Sequence, residues 1–237
     1  MVFYYFMRKH PLVTDQYYHV YNRGVDKRDI FANKKDLNRF ILSVKQFNKI
    51  CPVGCIRDDI RDRLVPQYSK KQKKQGKLVS IVCYCFNPNH FHFILKQEVD
   101  GGISEFFKRL LGGYTKYFNE VHHRSGALFQ GRFKSHLINN DQYFLKIFPY
   151  VNINHMIHDI PEEKRYLILS SDEEYEEMEF DLVSKKEAKN LLSFYGTKNN
   201  FKNECLKVSC LVREEREKTP IFLEEDFPPY PPDTQKL

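Results

Sequence analysis

Apolar residues recur along this chain with two periods, and the switches between them predict its elements. Tyr17 to Asn22 alternates as a first strand, ending in a turn at Arg23-Gly24. From Lys35 to Ile50 the stripe Leu37, Phe40, Ile41, Val44 and Phe47 predicts an amphipathic helix. Pro52 to Gly76 is irregular, with a short strand expected around Arg63-Leu64-Val65. The apolar run Leu78 to Phe86, the turn Asn87-Pro88-Asn89 and the strand His90 to Lys96 read together as a hairpin. Ile103, Phe106, Phe107, Leu110, Leu111, Tyr114, Tyr117, Phe118 and Val121 keep a helical period from Gly102 to His122. Gly112-Gly113 inside that helix costs roughly a kilocalorie per mole each, so a close approach of another element is expected there. Arg124 to Ala127 is a loop and Arg132 to Ile138 an edge strand. Asp141 to His158 reads as a helix capped by Asp141, with Phe144, Ile147, Phe148 and Val151 on its buried stripe.

Strand, helix, hairpin, helix, strand, helix is the order of an α+β fold in which helices cover an antiparallel sheet. Beyond Pro161 the pattern weakens. Leu167 to Leu169 is a short apolar run, Ser184 to Cys210 predicts two short helices broken at Gly196, and Phe227-Pro228-Pro229-Tyr230-Pro231-Pro232 cannot form regular structure. The expected organisation is a main domain over 1–160, a helical extension over 161–222 and a proline-rich tail over 223–237.

Composition supports a chain with one good core. Of 237 residues 41% are hydrophobic, including 20 Phe and 15 Tyr with no Trp. No apolar run approaches the eighteen or so residues that span a bilayer, and the aromatic start Met1 to Met7 lacks the basic region of a signal peptide, so a cytoplasmic protein is expected. The cysteines fall as Cys51/Cys55, Cys83/Cys85 and Cys205/Cys210, without the two-residue spacing of a zinc knuckle, and read as free thiols. The net charge of +7 is uneven. Lys70, Lys71, Lys73, Lys74 and Lys77 crowd one stretch before the hairpin, whereas Asp172, Glu173, Glu174, Glu176, Glu177, Glu179 and Asp181 crowd another, so the first two thirds form the basic part. A basic surface with interleaved aromatics suits a polyanion such as nucleic acid, with rings available to stack on unpaired bases.

The candidate chemistry begins at His90-Phe91-His92. Successive strand side chains point to opposite faces, which puts both imidazoles on one face and Phe91, Phe93 and Leu95 on the other. That is a metal-binding geometry, although histidines so spaced also occur as solvated or hydrogen-bonded strand residues. Tyr150 and Asn154, four residues apart on the last helix, share one helix face, as a phenol and an amide oxygen aimed the same way. Periodicity alone does not dock that face against the histidines.

Five ordered blocks carry a family resemblance: Tyr17-Tyr18-His19-Val20-Tyr21-Asn22-Arg23-Gly24, Asn87-Pro88-Asn89-His90-Phe91-His92, Tyr114-Thr115-Lys116-Tyr117-Phe118-Asn119, Arg124 to Lys134, and Tyr150-Val151-Asn152-Ile153-Asn154. Over roughly residues 14 to 158 the chain resembles the REP-associated tyrosine transposases, within the single-tyrosine HUH superfamily. The resemblance implies a ferredoxin-like, RRM-like palm, a Mg²⁺ or Mn²⁺ ion held by His90, His92 and Asn154, and Tyr150 as the nucleophile that attacks DNA and leaves a 5′-phosphotyrosine and a free 3′-OH. It further implies a substrate of hairpin-forming single-stranded DNA, with Arg23, Lys27, Arg28, Lys108, Arg109, Lys116, Arg124, Gln130, Arg132 and Lys134 as the expected DNA-contacting side chains. Relatives tend toward self-contained sites, so a monomer is expected rather than a homodimer. Two positions depart from the family pattern: His155 stands where a proline is usual, and Pro149 precedes the tyrosine, where it removes a backbone donor and predicts a kink at Phe148. Two readings of other classes stand beside this one: a non-catalytic nucleic-acid-binding module on an RRM-like sheet, and a metal hydrolase that activates water without a covalent step.

Overall fold

The strands β1 (Tyr17–Arg23), β2 (Val79–Asn87), β3 (His90–Gln97), β4 (Lys134–Ile138) and β5 (Leu169–Ser170) form one sheet in the order β4-β1-β3-β2-β5. Every neighbouring pair is antiparallel. With α1 (Lys34–Phe47) between β1 and β2, and α2 (Gly102–Val121) between β3 and β4, the first four strands follow the βαββαβ path of a ferredoxin-like fold. The structure, a computed structural model, describes residues 11–51, 76–158 and 160–218. The strand expected at Arg63-Leu64-Val65, Cys55, the lysines 70 to 74, Met1 to Met7 and the proline-rich tail lie outside the described residues. No helix among the described residues is long and apolar enough to cross a membrane, and the cysteines among them are free, with Cys83, Cys85 and Cys205 buried and Cys51 and Cys210 exposed.

One sheet face carries Phe91, Phe93 and Leu95 and is covered by α1 and α2. Phe91 stacks on Phe107 at 5.8 Å, and Phe40 of α1 meets Phe91 at 5.7 Å and Tyr114 edge-on at 5.0 Å. Each such fully buried ring contributes about 1.5–3 kcal/mol of transfer free energy. The glycine pair in α2 divides its roles. A Cβ on Gly113 would lie 2.9 Å from the Phe47 ring, so this glycine lets α1 and α2 approach, while a Cβ on Gly112 would meet nothing within 4 Å. Gly113→Val should therefore lower stability by about 1–3 kcal/mol through overpacking, and Gly112→Ala should raise it by up to about 1 kcal/mol through helix propensity. Chemical denaturation of the two variants checks the opposite signs.

The other sheet face carries His90 and His92 and is covered by α3 (Asp141–Asn152) and α4 (Asn154–Ile157), followed by α5 (Asp172–Glu177), α6 (Lys185–Tyr195) and α7 (Lys198–Lys218). The single helix expected over Asp141 to His158 is thus two. Its cap is Asn140, whose side chain accepts from the Tyr143 backbone N–H, and Asp141 is the first helical residue. The interruption comes at Ile153 (φ −109°, ψ 18°), past the proline. Pro149 sits inside α3 without ending it. The carbonyl that a proline leaves without its helical donor is that of Leu145, four residues back, and Tyr195 of α6 donates its hydroxyl there at 3.0 Å. Asn152, just before the interruption, donates to Asp172 and accepts from the Ser171 hydroxyl at 2.6 Å, which ties the helix end to the start of α5. Within the acidic stretch, Glu174 accepts from the Tyr84 hydroxyl and from the backbone N–H groups of Asp181, Leu182 and Val183, so that carboxylate closes a turn. Phe148 packs between Tyr175 and Phe201, and through them α5 and α7 join the sheet's core. The break expected at Gly196 (φ 73°) separates α6 from α7, which is long rather than short.

Candidate functional site

The hairpin turn builds the first half of the site. Asn87 and His90 face each other across Pro88-Asn89 as the last pair of the β2–β3 ladder. Asn89 donates its amide to the Lys27 carbonyl, which leaves its oxygen to accept from His90 Nδ1 at 2.6 Å. With its proton on Nδ1, His90 turns the Nε2 lone pair into the site. That Nε2 stands 3.0 Å from Asn154 Oδ1, and the Asn87 amide nitrogen is 2.8 Å from each of them. Asn87, His92 and Asn154 are fully buried and His90 nearly so. Asn154 Nδ2 is buried and has no hydrogen-bond partner among the described residues.

His92 lies on the same face, its ring 5.2 Å from that of His90 and perpendicular to it. Its Nδ1 is 2.9 Å from Nε2 of His19, which β1 places on the shared face. Burial, with a smaller push from His136, holds His19 down at about 3, so it stays neutral. When His92 donates from Nδ1 to His19, the Nε2 of His92 keeps its lone pair, which is how a neighbouring acceptor orients a ligating imidazole. Tyr21 stacks beside both rings, 5.5 Å from His92 and 5.8 Å from His136.

The helix across this face supplies the phenol. Tyr150, 2% exposed, stands edge-on to His92 at 5.9 Å and to His19 at 6.4 Å. Although Ile153 interrupts the helix, Tyr150 and Asn154 both reach the histidine face, Tyr150 from α3 and Asn154 as the first residue of α4. His155 approaches the Cys85 thiol at 3.8 Å, and burial lowers its pKa. His158 packs against His90 at 4.6 Å. His90, His92, Asn154 and Tyr150 are thus brought together. His19, Asn87, Asn89 and His158 belong to the same cluster and are not among the expected site residues, although the alternation of Tyr17 to Asn22 puts His19 on the face away from Val20 and the hairpin turn sets Asn87 and Asn89 beside His90.

The ten basic and amide residues expected to touch DNA divide into two groups. Arg23 pairs with His90 and Lys134 with Tyr21 in strand register, and the Gln130 N–H donates to the Arg23 carbonyl, so these lie beside the histidine face, with Arg132 exposed nearby in the chain. Lys27 and Arg28 follow β1 in a turn that holds Asp26 and Lys27 at positive φ. A Cβ on Gly24 would lie 2.1 Å from the Arg28 carbonyl oxygen, so the turn needs glycine. Lys108, Arg109 and Lys116 lie on α2, across the sheet from the histidines. Arg109 pairs with Glu105 at 2.8 Å and donates to the Lys49 carbonyl, and Arg124 bridges to Asn119 at the end of α2.

Among the described residues no group of three His, Cys, Asp or Glu side chains is placed to hold a metal ion. The donors present are instead two imidazoles and amide oxygens, a neutral set of nitrogen and oxygen that Mn²⁺, as a first-row transition metal, accepts more readily than Mg²⁺ with its all-oxygen preference.

No family model and no curated protein matches the chain. Among solved structures, it is similar to a REP-associated tyrosine transposase bound to a REP hairpin, at 14% identity and a TM-score of 0.47, covering 75% of this chain and 89% of that one. It is also similar to tRNA(His) guanylyltransferase from Saccharomyces cerevisiae, at 12% identity and a TM-score of 0.29, covering 86% of this chain and 82% of that one.

Proposed function

We propose that the chain is a metal-dependent single-stranded DNA endonuclease and strand transferase of the single-tyrosine HUH type. The observation that carries this reading is the meeting of Tyr150, His92, His90 and Asn154 on one sheet face, at the positions that the family resemblance assigns to a nucleophile and three metal ligands. A divalent ion held there would draw charge from the scissile phosphate and orient it. Tyr150 Oη forms a bond to phosphorus as the bond to the 3′ oxygen breaks, and the phenol's proton ends on that departing oxygen. The products are a 5′-phosphotyrosine and a 3′-OH. No water is consumed, and the reverse step rejoins DNA without ATP.

The chain's own groups prepare this step. Asn89 and His19 fix the two imidazoles, and Pro149 with Tyr195 fixes the helix turn that carries the phenol. The donor set carries no charge, so a bound phosphate is the natural source of negative charge for the ion, and DNA and metal should each tighten the other's binding. Tyr150 is reached from its own sheet, and only Asn139-Asn140 join β4 to α3, so one chain suffices to build the site. A monomer acting in cis on its own histidines is the state proposed, and that short linkage supports it.

Arg23, Lys27, Arg28, Gln130, Arg132 and Lys134 are proposed to grip the DNA backbone beside the site. Binding of a hairpin-bearing single strand should fall by orders of magnitude between about 50 and 200 mM salt if several phosphates are neutralised. Arg23→Glu and Lys134→Glu should each weaken it by about tenfold and flatten the salt slope, whereas Lys108→Glu and Lys116→Glu, across the sheet, should leave it within about twofold. Fluorescence anisotropy over a salt series measures both. Equal effects from the two groups would remove the histidine face as the DNA surface.

A further inference from the structure

We propose that Asn87 is a further ligand of the metal site: a half-turn of its amide puts Oδ1 where Nδ2 stands, completing a face of three donor atoms with His90 Nε2 and Asn154 Oδ1. The inference rests on the reading of His90, His92 and Asn154 as metal ligands. The three positions lie 2.8, 2.8 and 3.0 Å apart. Ligands at right angles around a divalent ion with bonds of about 2.1 Å lie ~3 Å from one another, so the triangle has the edge length of a coordination face.

The hydrogen bonds give the reason for an amide here. His90 gives its Nδ1 proton to Asn89 and so offers a bare lone pair at Nε2. Asn154 Oδ1 offers another, 3.0 Å away. Two acceptors held this close in a buried site repel unless something positive lies against both. In the metal-free chain the two protons of the Asn87 amide fill that role, one toward each acceptor. A cation does the same more strongly, and the amide then serves it best with its oxygen forward. The far side of the amide allows the turn. Its oxygen is approached by the Cys85 thiol at 3.8 Å, and a thiol is both a weak donor and a weak acceptor, so reversal forfeits little there. Asn87 thereby acts as a latch that holds the two acceptors together without metal and as a ligand with it. No water or flexible segment is required, because Asn87 sits in the β2–β3 ladder opposite His90.

The test is Mn²⁺ titration of the full chain by calorimetry and by loss of the free-ion paramagnetic resonance signal, with thermal melts to confirm that each variant folds. Asn87→Ala should weaken Mn²⁺ binding about tenfold or more, and Asn87→Asp, which offers a charged oxygen at the same place, should bind at least as tightly as wild type. A residue that acted only by donating hydrogen bonds in the metal-free chain would show another pattern, because the alanine variant would leave two acceptors that only a cation satisfies, and its Mn²⁺ binding would hold at the wild-type level or tighten. An alanine variant with wild-type or tighter affinity, or an aspartate variant as weak as the alanine one, overturns the assignment of Asn87 while leaving the metal site standing. A wild-type chain that takes up no Mn²⁺ overturns the metal site itself, and Asn87 with it.

Discussion

Tyr150→Phe abolishes DNA cleavage, by on the order of 10⁴-fold or more, while hairpin binding stays within about twofold of wild type. The substitution removes one oxygen and keeps the ring that stands edge-on to His92 and His19. Losses of this size are what removal of an enzyme's covalent nucleophile produces. The control for binding matters, because a buried residue can act through folding alone, and a Phe variant that melts with wild type and binds DNA places its defect in the chemical step. If cleavage persists in the Phe variant, another tyrosine is the nucleophile. Tyr117 lies on α2 across the sheet, with its hydroxyl on Asp36. Tyr21, on the site face 5.5 Å from His92, becomes the next nucleophile to test.

His90→Ala and His92→Ala each remove Mn²⁺-dependent cleavage, with an expected loss of about 100-fold or more, and weaken Mn²⁺ binding in parallel. Both side chains sit on the face that Tyr150 covers, and what remains after either change is a poorer nitrogen and oxygen set. His19→Ala should give a smaller version of the same loss, about 10–100-fold, because His19 touches His92 without being a ligand. The graded order, ligand before orienting partner, is the informative result. If His19→Ala cost as much as His92→Ala, the pair would be acting as one buried structural element. If none of the three changed Mn²⁺ dependence, the ion would be bound elsewhere.

The palm was legible because its signals are local. Alternation from His90 to Leu95 put the histidines on one face and the phenylalanines on the other, and the turn residues set the hairpin that begins at Asn87. The last helix reads as one from sequence because Ile153 is neither a glycine nor a proline and carries no local stop signal, so nothing nearby in the chain marks the interruption. What holds that end of the helix is remote, the bonds from Asn152 to Ser171 and Asp172. Pro149 is expected from local rules to kink the helix, and the helix continues through it, with Tyr195, 46 positions later, supplying a donor to the carbonyl that the proline leaves without one. His19 was passed over because only the pairing of β1 with β3 brings it to His92, and that register is not written in either strand alone. Lys108 and Lys116 look as basic as Arg23 and Lys134 in the chain. Only the docking of α2 on the phenylalanine face separates them.

A covalent step by Tyr150 is decided by incubating the chain with Mn²⁺ and a 5′-tailed hairpin single strand, denaturing, digesting and mapping any DNA-linked peptide by mass spectrometry. The expected result is an adduct on the Tyr150 peptide, carrying the 5′ phosphate of the downstream strand, with a free 3′-OH on the other product. Cleavage that leaves free 5′-phosphate ends and no adduct contradicts it in favour of water as the nucleophile, and intact DNA that is nevertheless bound contradicts it in favour of a binding module.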